Sequence, residues 1–340
     1  MKSKLSSNQK QGLLLSLTFS LAALLAILYY TTSKETWKSL QQVQPLYLAL
    51  ALAAVILAWF IEGYRLKRIA GMLGEGKNIS IFSYVKVFLT TFFFAGITPM
   101  AVGEWPALIF YLHKSGISLA ESTAAMVIRT ILTKFFFLVL AVILLIVYEG
   151  HISGVETINY FFRMALALLV FSSSFYFIVI IRPKIIWQVL KFLKKVPFLK
   201  PLASSRRLQK FFQRLREEAE QFHNSLSRLG KYNKGRLIFP ALLTAAYWFT
   251  YFLVAPLLLM GLGLDFYFWS ILVWHVLVVL IIAYTPVPGG SGFVELSLAT
   301  FFAGYVPAHT IGIFVIAWRF FTYYLYLFFG GLLAARPFYR

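Results

Sequence analysis

The chain has 340 residues, of which 60% are hydrophobic and only 13% are charged. Soluble domains are about 45–50% apolar and about 25% charged, so this composition excludes a soluble globular protein and predicts an integral membrane protein. The formal net charge of +20 would suggest nucleic-acid binding in a soluble chain, but the basic residues fall in loops, where they predict topology and contact with anionic phospholipid and no nucleic-acid partner.

Apolar runs predict ten helices in chain order. They cover residues 12–30, 45–64, 85–97, 105–112, 122–148, 160–182, 237–260, 267–284, 293–304 and 308–333. The first run follows lysines, as in a signal peptide, but it is too long and lacks a cleavage site, so we interpret it as a retained first helix. Three runs, 85–97, 105–112 and 293–304, are too short to cross about 30 Å of hydrocarbon at ~1.5 Å per residue.

The distribution of lysine and arginine predicts the orientation of these helices. The two termini and the loops 65–84 and 183–236 are basic, whereas 149–159 and 261–266 contain acidic residues and no lysine or arginine. The positive-inside rule therefore places the N- and C-termini and the basic loops in the cytoplasm. The 31–44 loop is assigned to the outside.

This orientation requires two segments to enter and leave the membrane on the same side. Segment 85–112 lies between two cytoplasmic ends and segment 267–304 between two outer ends, so each is predicted to form a re-entrant hairpin. The predicted fold is an all-α polytopic membrane protein with two inverted-topology repeats, 1–148 and 160–333, each containing three spanning helices plus one re-entrant helical hairpin. Inverted repeats with broken helices are typical of secondary transporters.

Each predicted hairpin contains a helix-breaking motif, TPMAVGE at 98–104 and TPVPGGSGFVE at 285–295. Proline and glycine interrupt helices, and irregular backbone at membrane depth must be buried in protein or reached by water. The tips are therefore predicted to point into the bundle, where half-helix N-termini favour an anion such as a lipid phosphate. Taken alone, the first motif would also fit a surface loop. The predicted break residues are Thr98, Pro99, Gly103, Thr285, Pro286, Pro288, Gly289, Gly290 and Gly292.

Five ionisable residues in apolar segments form the predicted translocation site: Glu104, Arg129, Lys134, Glu295 and Arg319. A charge within a span costs roughly 2.5–3.5 kcal/mol on insertion scales, so such residues are usually paired and functional. An arginine follows each break glutamate at a similar distance. The glutamates therefore either brace the two arginines, or act on a cationic head-group moiety or a coupling proton while the three basic residues hold an anionic head group. The sequence leaves both interpretations open.

Weaker features accompany this site. Loop 183–236 contains an amphipathic helix with a basic face, which either lies on an anionic leaflet or packs on the cytoplasmic end of the bundle. Glu62 and Arg65 are predicted to form a local ion pair at a cytoplasmic helix end, and His275 to be a hydrogen-bonded interior histidine. No nucleotide-binding or metal motif occurs and the chain contains no cysteine, so neither an enzyme activity nor a cofactor is predicted.

The two break motifs resemble those of the flippase-like integral membrane family typified by the transmembrane region of lysylphosphatidylglycerol synthase. The second motif, TPVPGGSGFVE, carries most of the resemblance. In the first, Met100 and Ala101 stand where relatives have glycines, while Gly103 and Glu104 are kept. The resemblance implies translocation of an aminoacylated phospholipid or polyprenyl-phosphate-linked lipid across a bacterial cytoplasmic (inner) membrane. Lysyl transfer is not implied, because the chain ends at Arg340, just after the last predicted helix.

Two other functions also fit the sequence. The first is proton-coupled transport of a small soluble anion, which would require a cavity sealed from lipid. The second is a non-transporting membrane protein that docks a lipid-modifying enzyme or glycosyltransferase through loop 183–236. Lipid translocation is the favoured hypothesis, because it accounts for both break motifs and for the charged residues around them.

Overall fold

The computed structural model describes residues 7–148 (apart from 75 and 77) and 234–335, with seven further residues between these ranges. The described residues are helical and contain no strand, which confirms the predicted all-α polytopic class. Their helices are α1 (Ser7–Thr31), α2 (Lys34–Gln41), α3 (Pro45–Met72), α4 (Ile81–Gly96), α5 (Glu104–Lys114), α6 (Leu119–Tyr148), α7 (Ile238–Phe252), α8 (Val254–Gly261), α9 (Phe268–Tyr284), α10 (Phe293–Phe302), α11 (Ala308–Arg319) and α12 (Leu325–Ala335).

Five helical segments in this part of the chain are long and apolar enough to cross a membrane. They are Gln11–Thr31, Pro45–Met72, Leu119–Ile143, Gly235–Gly261 and Ala308–Ala335. Large apolar side chains on these segments remain exposed, among them Leu14, Leu57 and Phe135. Such a surface would be unfavourable in water and is suited to lipid, so the protein is a multi-pass integral membrane protein.

Two of the spanning segments contain local departures from regular α-helix. Pro256 interrupts the predicted helix 237–260, because it cannot donate a hydrogen bond to the carbonyl oxygen of Phe252. The helix α7 therefore ends at Phe252. The last predicted helix, 308–333, contains a π-helical turn at Phe320–Tyr324 between α11 and α12. π turns often occur at functional sites.

The predicted outer loop 31–44 contains a short helix, α2, that the sequence analysis missed. Ser33 caps its N-terminus by accepting the backbone N–H of Glu35, and Thr36 accepts the backbone N–H of Ser33. The Thr36 hydroxyl also donates to the carbonyl oxygen of His309 at 2.7 Å. Through this bond α2 holds the end of α1 close to the start of α11.

The chain forms two compact units. The first consists of Met1–Lys67, Asn78–Gly116 and Leu242–Arg340, and the second of Arg68–Lys77 and Ile117–Ala241. The first unit contains both helix breaks, whereas α6 belongs to the second.

The division into repeats 1–148 and 160–333 stays a prediction. The predicted helix 160–182 and the amphipathic helix of loop 183–236 lie outside the described residues.

The core of the first unit lies where α12 packs on α4. A Cβ atom on Gly330 would stand 2.3 Å from the carbonyl oxygen of Leu89, so the close approach of these helices requires glycine. The buried Tyr326 packs on Phe92 with ring centroids 4.3 Å apart, and on Trp59 of α3 at 5.3 Å. This packing fixes the position of α12, which continues from the segment that carries Arg319.

Candidate functional site

The first helix break begins where α4 ends at Gly96. The Thr98 hydroxyl accepts the N–H of Gly103 at 2.9 Å and donates to the carbonyl oxygen of Phe94 at 2.8 Å. A 3₁₀ turn over Pro99–Ala101 follows, and α5 begins at Glu104. A Cβ atom on Gly103 would lie 2.5 Å from the carbonyl oxygen of Phe94, so this residue must be glycine for the chain to fold back.

The second break has the same backbone shape as the first. A 3₁₀ turn covers Pro288–Gly290 after α9, and α10 begins at Phe293. Gly289 and Gly290 both have φ of 63°, and at the corresponding positions of the first break Met100 and Ala101 have φ of 52° and 53°. Non-glycine residues rarely adopt such angles, so two adjacent ones indicate a conformation imposed by its surroundings.

This shared backbone fixes the register of the two motifs. Both motifs open with Thr-Pro, but the structure places Pro99 at the position of Pro288, and Thr98 at that of Val287. Glu104 is consequently the first residue of its helix and Glu295 the third. The two break glutamates therefore occupy different positions within their first helical turns.

The two breaks touch each other. The backbone N–H of Met100 in the first break donates to the carbonyl oxygen of Thr285 in the second, at 3.3 Å. In addition, the Tyr323 hydroxyl donates to the carbonyl oxygen of Gly96 at 3.0 Å, which joins the π turn to the end of α4. Two helical hairpins that are far apart in the sequence thus meet at their interrupted ends.

A buried ion pair lies at this meeting point. Arg319 Nε is 2.8 Å from Glu295 Oε1, and the two side chains are 1% and 0% exposed. Glu295 Oε2 accepts the N–H of Gly292 at 2.8 Å, and Arg319 Nη1 donates to the carbonyl oxygen of Gly289 at 3.1 Å. Each charge is therefore bound both to the other and to the backbone of the second break, which is how a buried pair offsets its desolvation.

One nitrogen of the guanidinium has no such partner. Arg319 Nη2 is buried and forms no hydrogen bond within the described part of the chain. Its Cζ atom lies 4.5 Å from the ring centroid of Tyr323, a cation–π distance. A buried N–H group without an acceptor is unfavourable by about 1–3 kcal/mol, so this corner of the site suits an anionic or carbonyl oxygen.

Side chains from α1 complete the site, and the sequence analysis did not identify them. The Ser20 hydroxyl donates to Glu295 Oε1 and also contacts the hydroxyl of Tyr324. Ser16 bonds the hydroxyl of Tyr323 at 2.8 Å. The available signal was the four-residue spacing of two serines in a leucine-rich helix, which places both hydroxyls on one face.

The remaining predicted site residues occupy other positions. Glu104 is half-buried at the start of α5. Arg129 and Lys134 are half-buried on α6, in the second unit. The structure thus brings Glu295, Arg319 and both breaks together within the first unit, and it places the two basic residues of α6 in the other.

Two further buried polar groups lie outside this site. His275 is fully buried and its Nε2 accepts the indole N–H of Trp318 at 3.1 Å, which confirms the predicted hydrogen-bonded interior histidine. Arg65 Nε lies 3.2 Å from Glu62 Oε2, which confirms the predicted ion pair. The pair is not at a helix end, however, because α3 continues to Met72 and both side chains are buried.

Broken helices that meet at a buried ion pair within a bundle of apolar helices define a polytopic membrane protein with a polar centre. Its described residues include no cluster of histidine, aspartate and glutamate able to hold a metal ion. The chain belongs to the family of the lysylphosphatidylglycerol synthase TM region, whose family model matches residues 13–330. This finding confirms the family resemblance inferred from the break motifs.

A relative from an archaeon agrees with this assignment. The chain is 24% identical over 319 residues to a UPF0104 membrane protein of Archaeoglobus fulgidus, and the match covers 94% of this chain and 95% of the relative. No solved structure matches the chain significantly. The family is that of a membrane region named for a lipid-modifying synthase, which is consistent with a lipid-related role.

Proposed function

We propose that this protein moves a lipid with an anionic or zwitterionic head group between the two leaflets of the cytoplasmic membrane. The observation that carries the proposal is the meeting of two broken helices around the Glu295–Arg319 ion pair. Family membership supports a lipid-related role. The head group crosses through the polar centre while the acyl chains stay in the bilayer.

In this proposal the hairpins formed by α4–α5 and α9–α10 are re-entrant and enter from opposite faces. They belong to two inverted repeats whose rocking alternates access to the centre. The support is the shared backbone shape of the breaks, in which a proline precedes two residues of positive φ and a helix start. Irregular backbone of this kind persists in a membrane only where protein or water satisfies its polar groups.

Arg319 is the residue proposed to receive the anionic group of the lipid. Its Nη2 has an unused N–H and lies on the same edge of the guanidinium as Nε, so an incoming phosphate oxygen finds a donor already in place. The first turns of α5 and α10 add the positive ends of helix dipoles. Arg129 and Lys134 of the second unit are proposed to bind an anionic group of the lipid in their own right, and Glu104 or Glu295 is proposed to carry a coupling proton.

A leaflet-resolved translocation assay tests the proposal. The protein is reconstituted into liposomes that contain fluorescent phosphatidylglycerol or its lysyl ester, and probe in the outer leaflet is bleached with a membrane-impermeant reductant. Arg319→Ala and Glu295→Ala are expected to reduce the rate by roughly tenfold or more, the loss of one buried charged contact, and Lys134→Ala to reduce it less.

The control is Arg68→Ala, which removes an exposed arginine of the second unit. Its rate should equal that of the unchanged protein. Undiminished translocation in all three site variants would refute the assignment of the site, and the absence of translocation by the unchanged protein would refute lipid transport of these probes.

A further inference from the structure

The helix α1 covers the polar centre with one narrow face. Gly12, Ser16 and Ser20 recur at four-residue spacing, and both serines are fully buried. Other positions of the helix present leucine to the surroundings, such as Leu14 at 66% and Leu21 at 58% exposure. Only 28% of the apolar part of the spanning segment Gln11–Thr31 is buried, compared with 61% for the segment Ala308–Ala335. α1 is thus a peripheral helix with membrane on most of its circumference.

The three residues of this face contact three different parts of the site. A Cβ atom on Gly12 would lie 2.2 Å from the carbonyl oxygen of Ile97, at the start of the first break. Ser16 bonds Tyr323 in the π turn, and Ser20 bonds Glu295 in the second hairpin. Removing α1 would therefore uncover the first break, the π turn and the ion pair at once.

The two ends of α1 are attached differently. Near its C-terminal end a Cβ atom on Gly312 of α11 would lie 3.0 Å from both Leu28 and Thr31, and α2 binds the carbonyl of His309 directly beyond it. The N-terminal half is attached through the close contact of Gly12, the packing of the partly buried Leu13 on the core cluster that contains Ile97, and the hydroxyls of Ser16 and Ser20. A few such bonds, each worth about 0.5–1.5 kcal/mol, can open and close reversibly.

We infer that α1 is a lateral gate, which pivots about its Thr31 end and swings its Gly12–Ser20 face away from the breaks. The opening lets a lipid head group pass from the bilayer to Arg319, while the acyl chains remain outside against the apolar surface of the helix. This inference rests on the proposed lipid translocation for its purpose, but the movement itself can be measured without any lipid transport.

The test uses the absence of native cysteine. Ser291→Cys introduces one thiol at a fully buried position of the second break. The protein is placed in vesicles of phosphatidylethanolamine and phosphatidylglycerol and exposed to a membrane-permeant maleimide. Adding Gly12→Ala should increase the labelling rate by roughly tenfold, because the new methyl group cannot fit against Ile97 and shifts the gate toward its open position.

Gly330→Ala provides a matched control. Its Cβ atom would meet the carbonyl oxygen of Leu89 at 2.3 Å, nearly the same clash, but at the α4–α12 contact and not on α1 itself. Labelling at position 291 should stay slow in this variant even if its thermal midpoint falls further. Ser20→Ala removes only a hydroxyl and should also increase the labelling rate at position 291. This variant tests the gate if Gly12→Ala does not fold.

Equal labelling rates in the Gly12 and Gly330 variants would overturn the gate, since general loosening would then explain the exposure. The gate would also be overturned if the labelling rate at position 291 increased in neither the Gly12 variant nor the Ser20 variant. The outcome also separates the two proposals. Lipid transport without selective labelling refutes the gate alone, whereas selective labelling without lipid transport leaves the moving helix established and refutes the proposed translocation.

Discussion

The carboxylate of Glu295 is bound by the guanidinium of Arg319, the backbone N–H of Gly292 and the hydroxyl of Ser20. The spacing of charged residues in the sequence indicated the partnership with arginine. It did not indicate Ser20, because the four-residue spacing of the two serines shows only that both hydroxyls share a helix face, and the partner of Ser20 lies 275 residues away. The contacts between charged residues can therefore be predicted from the sequence, because charges are rare in an apolar chain. The contacts of hydroxyl groups cannot be predicted in this way.

The ion pair gives a prediction at the residue scale. Glu295→Ala leaves a buried guanidinium without its counter-charge, and such a loss typically lowers the free energy of unfolding by about 3–5 kcal/mol. The double variant Glu295→Ala/Arg319→Ala should be less destabilised than the sum of the two single variants, because no unpaired charge remains. The measurement is the thermal unfolding midpoint in detergent. Strictly additive midpoint shifts would show that the two residues do not stabilise each other.

The breaks are elements whose existence was evident from the sequence but whose register was not. Proline and glycine marked the interruption of both helices correctly. Both motifs open with Thr-Pro, yet the structure gives Met100 and Ala101 the conformation of Gly289 and Gly290, four and five residues after Thr285. Residues with side chains rarely adopt positive φ, so only the family resemblance, which places Met100 and Ala101 where relatives have glycines, indicated this register. The π turn and α2 were missed as well, although Ser33 was a recognisable capping residue for α2.

The strained turn of the first break leads to a prediction at the element scale. Met100→Gly and Ala101→Gly should each raise the unfolding free energy by about 1 kcal/mol, because glycine adopts positive φ without steric cost. Val102→Gly is the matched control. Its φ of −59° is ordinary, so there glycine only adds conformational entropy to the unfolded chain. A midpoint that rises equally in all three variants would contradict the explanation by strain.

Gly103→Ala should act in the opposite direction. The added methyl group would lie 2.5 Å from the carbonyl oxygen of Phe94, so the thermal midpoint should fall.

At the scale of the whole molecule, composition alone indicated a multi-pass membrane protein, and the break motifs indicated its family. Charge bias predicted the orientation of each loop, which depends on the surrounding membrane and not on contacts within the chain. The two compact units could not be predicted, because each combines segments that are separated in the sequence, and the first contains both ends of the chain. Such long-range assembly depends on side-chain packing, which periodicity does not describe.

The predicted topology can be measured with single cysteines introduced into this cysteine-free chain. Asn78→Cys and Lys114→Cys flank the first hairpin at exposed positions. If the hairpin is re-entrant, both thiols should react with an impermeant maleimide from the cytoplasmic side only. Asp265→Cys and Ala308→Cys flank the second hairpin and should both react from the outside. Labelling of the two ends of either hairpin from opposite sides would show that the hairpin spans the membrane.

The π turn at Phe320–Tyr324 imposes a length constraint on the end of the chain. A π turn closes its hydrogen bonds over five residues instead of four, so it holds one residue more than an α-helical turn along the same path. Every residue of α12 is displaced by about 100° around the helix axis relative to a continuous α-helix, at ~3.6 residues per turn. Gly330 faces Leu89, and Tyr326 faces Phe92, only because of that extra residue. A homologue shorter by one residue here would have to place different side chains against α4, whatever their identity.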